Sequence, residues 1–274
     1  MTDAESEPDW LAANRANWDE RVPIHVASEF YAVPGFVEGA TSLDQFEIEE
    51  IGSMVGGRTL VHLQCHFGLD TLSWARLGAS VTGLDFSAPA IAAAKELAGV
   101  VGVGARFVEG NVYDAPALLG EHYDVVYTGK GAINWLPDIE AWAHVLGDVC
   151  KPGGVVYVSE FHPFSWVFAD ESLEVEYGYF HETEPLGFDE QGTYTDPDAL
   201  LVHTRTLEWA HPIGDIVSAL AGAGFRLEFL HEFAHTHFQR WPFLKRIGPA
   251  RRYALPDGMP PLPLMFSLLA TKVA

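Results

Sequence analysis

The amino-acid sequence predicts an α/β protein built on a doubly wound, mostly parallel sheet. Two features point there. Short buried-strand candidates alternate with helices from Arg58 onward, and each helix carries start or stop signals at its ends. Units this short return to a parallel neighbour through right-handed crossovers.

The elements follow in chain order. Residues 1–45 are rich in aromatic and charged side chains, with Pro23 and Pro34 as helix breakers. They predict a helical cap, with one helix over Leu11 to Arg21 that stops before Pro23. Within 46–161, expected to form the first part of the α/β core, RTLVHLQ is a buried strand and GLDTLSWARLG a helix closed by Gly78. SVTGLD is the next strand, and SAPAIAAAKELAG a helix with Ser87 as N-cap and Pro89 in its first turn. ARFVEGN and YDVVYTG are strands, DIEAWAHVLGDVC is a helix with Asp138 and Glu140 in its first turn, KPGG is a turn, and VVYVSEF is the fifth strand.

The rhythm breaks at 162–204, which holds no Lys or Arg but ten acids with scattered aromatics. This reads as an inserted β-hairpin with a long loop, either a lid over the substrate region or a solvated acidic face. Over 205–274 the alternation resumes with a helix through IVSALAGAG, a strand RLEFLHEF, a proline-bearing loop and a last strand LMFSLLATKV.

Composition bounds the function. The 274 residues are 48% hydrophobic, and 38 acids against 16 bases leave a net charge of −22. That field repels phosphate backbones, so no nucleic-acid partner is expected. Two cysteines make no disulfide framework. The acidic start MTDAESEPDW does not read as a signal peptide, and the longest apolar run, PLPLMFSLLA, is about half of the ~20 residues a membrane helix needs. A cytoplasmic protein with no membrane partner is the expectation.

In an open parallel sheet, ligands bind beyond the carboxyl ends of the strands. The first strand ends at Gln64-Cys65-His66-Phe67-Gly68, running into a helix whose N-terminal N–H groups suit a carboxylate or phosphate. The second ends at Asp85-Phe86, and an acid there can accept from both hydroxyls of a ribose. The third ends at Asn111-Val112, where an amide can donate and accept at an adenine edge. The fourth ends at Thr128-Gly129, where small residues admit a ligand close to the backbone. Together these ends suit an adenosine bearing an anionic tail. No GxGxxG follows the first strand and no Walker A is present.

With HLQCHFGLDTL, VTGLDFS, FVEGNVYD, WLPD, KPGG and SEFHP in that order, and WDERVPIH ahead of them, the chain resembles the class I S-adenosylmethionine-dependent methyltransferases. The resemblance covers roughly Arg58 to Phe161 and resumes from Pro212. It implies S-adenosylmethionine as cofactor and a seven-stranded sheet of Rossmann-like methyltransferase type with an antiparallel last strand. It also implies a methyl acceptor, here read as a small molecule, neutral or cationic. One departure stands out: His62, Gln64 and His66 occupy places where the family has acid, Gly and Gly, and only Gly68 matches. Gln64 and His66 either turn away or contact the cofactor themselves.

A sulfonium already carries a good leaving group, so transfer needs alignment and exclusion of water. If a base assists, His162 is the candidate; a structural role is the alternative. Trp18 and Tyr31 face the sulfonium by cation–π attraction or form a plain hydrophobic cap. Cys65 counts with Gln64, His66 and Gly68 among the cofactor-binding residues, although its side chain, like that of His62, also reads as packing in or beside the first strand.

Two rival functions stand beside this one: a cofactor-binding protein without catalysis, and a zinc hydrolase using His231-Glu232-Phe233-Ala234-His235. The latter spells HExxH but falls on an alternating strand pattern, which sets the histidines about 13 Å apart at ~3.3 Å per residue, so no metal site is expected. The basic cluster Arg240, Lys245, Arg246, Arg251 and Arg252 either receives an anionic acceptor or balances the acidic insertion, within the molecule or across a homodimer.

Overall fold

A computed structural model describes residues 8–248 and 251–273. Both ends of the chain, with the acidic start of the expected cap, and residues 249–250 lie outside the described residues. Among the described residues seven strands form one sheet in the order β3 (Ala105–Glu109), β2 (Ser80–Asp85), β1 (Thr59–Leu63), β4 (Tyr123–Gly129), β5 (Cys150–Phe161), β11 (Met265–Lys272), β8 (Phe225–Phe233), and two small hairpins stand apart from it.

The chain forms two compact units. The first comprises residues 1–120 and 185–208. It opens with α1 (Asp9–Ala27), α2 (Val33–Val37) and α3 (Gln45–Val55), followed by β1 (Thr59–Leu63), α4 (Leu69–Arg76), β2 (Ser80–Asp85), α5 (Ala88–Val101), β3 (Ala105–Glu109) and α6 (Ala115–Leu119). Strands β1, β2 and β3 pair in parallel, with Leu63 opposite Leu84 and Asp85 opposite Glu109. Ser87 caps α5 as expected, accepting from the Ala90 N–H, and Pro89 sits in its first turn. Leu69, Leu72, Ile91, Ala94, Leu97 and Phe107 pack into one apolar cluster between helices and strands.

Helix α1 does not stop before Pro23; it runs through that residue to Ala27. The missing proline N–H and its ring cost about 3 kcal/mol in a helix interior. Burial on both sides of the proline outweighs this: Asn14, Asn17 and Val22 before it and His25 after it are all buried. Helix α3 has no counterpart in the sequence reading. It starts at Asp44, whose N–H donates to the Glu47 carboxylate at 2.7 Å, one half of a capping box.

The same unit contains the hairpin of β6 (Leu186–Asp189) and β7 (Arg205–Glu208), paired antiparallel. Its long connection is fastened to α1 by side chains spaced along one helix face. Asn14 donates to the Leu207 carbonyl and accepts from the Leu207 N–H, both at 2.8 Å. Asn17 donates to the His203 carbonyl at 2.6 Å. Glu20 accepts from the Val202 N–H at 2.7 Å and meets the His203 ring at 2.6 Å.

The second unit comprises residues 121–184 and 209–274. It holds β4 (Tyr123–Gly129), α7 (Ile139–Val149), β5 (Cys150–Phe161), α8 (Ile213–Gly222), β8 (Phe225–Phe233), the hairpin β9 (Lys245–Ile247) and β10 (Arg252–Ala254), and β11 (Met265–Lys272). Asp138 is the N-cap of α7 rather than a first-turn residue, accepting from the Ala141 N–H at 2.8 Å. The Lys151–Gly154 stretch joins β5 instead of forming a separate turn. The last strand, β11, lies antiparallel between β5 and β8, as expected. No helix among the described residues is long and apolar enough to cross a membrane.

Candidate active site

The turn from β1 into α4 is built on left-handed backbone. Gln64, His66 and Gly68 have φ of 59°, 51° and 81°. Thus positions 64 and 66 keep positive φ where the resemblance led us to expect glycine, but with side chains attached. At Gly68 no side chain is tolerated: a Cβ would lie 2.8 Å from the Phe107 ring. The turn is also held from the next strand. The Asp85 carboxylate at the end of β2 accepts from the His66 N–H at 2.7 Å through one oxygen, and from the Ser87 N–H at 2.9 Å through the other.

Burial pushes the Asp85 carboxyl up to about 6, opposed by the backbone N–H groups of Ser87 and His66. The Gly110 N–H donates to the Asp85 carbonyl at 2.9 Å, which sets the end of β3 beside that of β2. Asn111 follows directly, its Oδ1 accepting from the Tyr113 N–H at 3.3 Å, with buried Val112 opening a short 3-10 turn. Phe86 lies half-buried between Asp85 and Ser87.

Cys65 is buried and its thiol is raised well above its ordinary range, chiefly by burial. It fills the space over Gly83, where a Cβ would come 2.7 Å from its sulfur. It packs, and so does His62, whose Nδ1 lies 2.9 Å from the Thr71 hydroxyl.

Rings gather on the His66 side chain. Trp18 lies 5.3 Å from it, Tyr31 5.6 Å and Phe67 4.6 Å, all in edge-to-face arrangement. The structure thus brings Trp18, Tyr31 and His66 together. Sequence reasoning missed two members of the group. His25 is fully buried, with Nδ1 3.0 Å from the His66 Nε2. Tyr194, from the connection between β6 and β7, places its hydroxyl 2.5 Å from that of Tyr31 and 3.5 Å from His25 Nδ1. No local sequence signal joins residues so far apart in the chain.

In the second unit, Gly129 has a reason other than ligand approach. A Cβ there would sit 2.0 Å from the Ser159 carbonyl oxygen, so strand packing demands the glycine. Thr128 is wholly buried in β4. The loop beyond is arranged by Glu160, also missed in the sequence: its carboxylate accepts from the N–H groups of Gly131, Ala132, Ile133 and Phe161 at 2.5–3.2 Å. Burial raises its pKa and these N–H groups oppose the rise.

Both ring nitrogens of His162 are engaged. Nδ1 accepts from the Phe164 N–H at 3.1 Å, and Nε2 lies 2.8 Å from the Glu232 carboxylate. Burial lowers its pKa, opposed by Glu232.

The HExxH residues do not form a helix. His231 and Glu232 belong to strand β8, and His235 lies in the loop beyond it, so the one-face placement a zincin needs is not made. Of the basic cluster, Arg240 balances the acidic insertion within the molecule: it donates to the Asp170 carboxylate and the Phe168 carbonyl.

Residues 61–156 match a family described as a methyltransferase domain. A ubiquinone biosynthesis O-methyltransferase of Klebsiella pneumoniae (strain 342) is 29% identical over 196 residues, covering 69% of this chain and 79% of that protein. One from Cronobacter sakazakii (strain ATCC BAA-894) is likewise 29% identical over 196 residues, with the same coverage. Among solved structures, an S-adenosylmethionine-dependent methyltransferase from Mesorhizobium loti shares the fold with a TM-score of 0.56 at 19% identity, over 86% of this chain and 100% of that one. Another, from Clostridium acetobutylicum, gives 0.58 at 12% identity, over 94% and 99%. Sheet order, motif order and these matches support a class I S-adenosylmethionine-dependent methyltransferase.

The residues present fit that cofactor. Each Asp85 oxygen spends one lone pair on a backbone N–H and keeps another for a ribose hydroxyl. The Asn111 NH2 group is a donor at the neighbouring strand end, and the 64–68 turn ends at the N-terminus of α4.

Proposed function

We propose that this protein transfers a methyl group to a hydroxyl of a small-molecule acceptor, using the ends of β1, β2 and β3 as the cofactor cradle. The observation that carries the cradle is the pair of hydrogen bonds from His66 and Ser87 to the Asp85 carboxylate, which unites two strand ends around one acid. The name O-methyltransferase borne by the sequence relatives supports oxygen as the receiving atom.

When bound, S-adenosylmethionine would supply a methyl on a sulfonium: the carbon–sulfur bond breaks as the acceptor oxygen takes the methyl, the neutral thioether leaves, and the hydroxyl proton passes to solvent. The chain's own part is binding, alignment and exclusion of water. Asp85 receives the ribose hydroxyls. Asn111, with Val112 beside it, addresses the adenine edge. Gln64, His66 and Gly68 shape the turn for the amino-acid end. Trp18, Tyr31 and Tyr194 shield that turn from solvent. His162, with both nitrogens engaged, serves the turn after β5 rather than as a base.

The test is incubation with methyl-labelled S-adenosylmethionine and a panel of phenols, catechols, hydroxy acids and amines, scored by labelled product and by S-adenosylhomocysteine. Label in a hydroxyl-bearing acceptor is expected. Label confined to amines would overturn the oxygen assignment. Tight cofactor binding with no transfer to any class would favour a binding protein without catalysis.

A further inference from the structure

Two residues of the β1–α4 turn hold a backbone conformation that L side chains rarely adopt, Gln64 at φ 59° and His66 at φ 51°. Each costs about 1–2 kcal/mol relative to glycine. The same turn uses glycine at position 68, where a Cβ has no room. Strain kept at 66 therefore accompanies a side chain with work to do.

That side chain is an imidazole enclosed by other rings. Trp18, Tyr31 and Phe67 surround it at 4.6–5.6 Å. Behind it stands His25, fully buried, its Nδ1 on the His66 Nε2 and its own Nε2 without a hydrogen-bond partner. Burial holds His66 down to about 3 and His25 to about 2, with Arg21 pressing both the same way. Both rings are therefore neutral across the working pH range. Arg21 lies over Trp18 at 5.4 Å; burial lowers its pKa, opposed in part by the carboxylates of Glu208 and Glu190. Aromatic faces attract cations, as the Arg21 guanidinium over Trp18 already shows, and neutral imidazoles add no positive charge against a second.

Resting on the reading of this turn as the amino-acid end of the cofactor site, we infer that His66 is a cofactor-positioning residue. Its ring, with Trp18 and Tyr31, receives the sulfonium, so the protein discriminates S-adenosylmethionine from its neutral product. A glycine at this place would supply the backbone turn but not that discrimination.

The experiment is calorimetric titration of the full-length protein with S-adenosylmethionine and, separately, S-adenosylhomocysteine, for the wild type, His66→Gly and Trp18→Leu. Glycine suits φ 51°, so His66→Gly should melt no lower than about the wild type despite its lost ring contacts. Expected is a roughly tenfold loss of affinity for the sulfonium compound, the scale of one or two cation–π contacts. For the thioether the loss should stay below about threefold. Trp18→Leu should shift selectivity in the same direction, and it serves if the glycine variant does not fold. Equal losses for both ligands, or none, would overturn the inference. A wild type that binds neither ligand would instead overturn the functional reading on which it rests.

Discussion

The backbone N–H of His66 donates to the Asp85 carboxylate over 2.7 Å, tying the turn after β1 to the end of β2. The bond places a buried acid beneath a left-handed residue whose own ring touches His25. Three ionisable groups with displaced pKa values thus meet in one small volume, and their linkage to folding has opposite signs.

Acid should destabilise the protein, and the sign follows from the shifts. His25 and His66 titrate at about 2 and about 3 in the fold, against 6.5 unfolded. Their contribution is fully present above pH ~6.5 and is lost as pH falls, at up to ~1.4 kcal/mol per pH unit for each group. Asp85 moves the other way, from 3.8 to about 6. Its folded state prefers the proton, so its contribution is greatest below pH ~4 and is lost as pH rises to ~6. The two histidines outweigh the one acid. Scanning calorimetry across pH 4–8 should show melting temperature falling below pH ~6.5. The fall should be shallower in His66→Gly and steeper between pH 6 and 4 in Asp85→Asn.

Gly129→Ala should be severely destabilising. The added methyl would meet the Ser159 carbonyl at 2.0 Å, backbone against backbone across β4 and β5. A loss of about 3 kcal/mol in urea unfolding is expected. A loss under 1 kcal/mol would mean that the strands separate more easily than their packing indicates.

Asn14→Ala should loosen the β6–β7 hairpin. The wild-type amide satisfies both backbone groups of Leu207, and leaving them unpaired costs about 2 kcal/mol. Limited proteolysis should then cut the connection between β6 and β7 faster than in the wild type, before global unfolding. Equal cleavage rates would show that the amide does not fasten the segment.

Much of this architecture was legible in the sequence, because the period of apolar residues and the cap at Ser87 act locally. The Asp44–Glu47 capping box of α3 was equally local and could have been read. The continuation of α1 through Pro23 could not, since it depends on burial of Val22 and His25 against distant elements. The site was half legible. Asp85 and Asn111 follow from strand ends, and the structure sets them at adjacent ends. The left-handed turn at Gln64 and His66 carries none of the glycine that normally announces it. His25, Tyr194 and Glu160 gain their roles only through contacts made across long separations. Gly129 was legible as a residue with a purpose, but the purpose is close packing on Ser159.

The most direct test of the cradle is titration of S-adenosylhomocysteine into the wild type and Asp85→Asn, with melting curves confirming that both are folded. Only an ionised carboxylate can take two backbone N–H groups and still accept from both ribose hydroxyls. The account requires binding to the wild type and at least a roughly tenfold weakening in the variant. Equal affinity in the two proteins would contradict it.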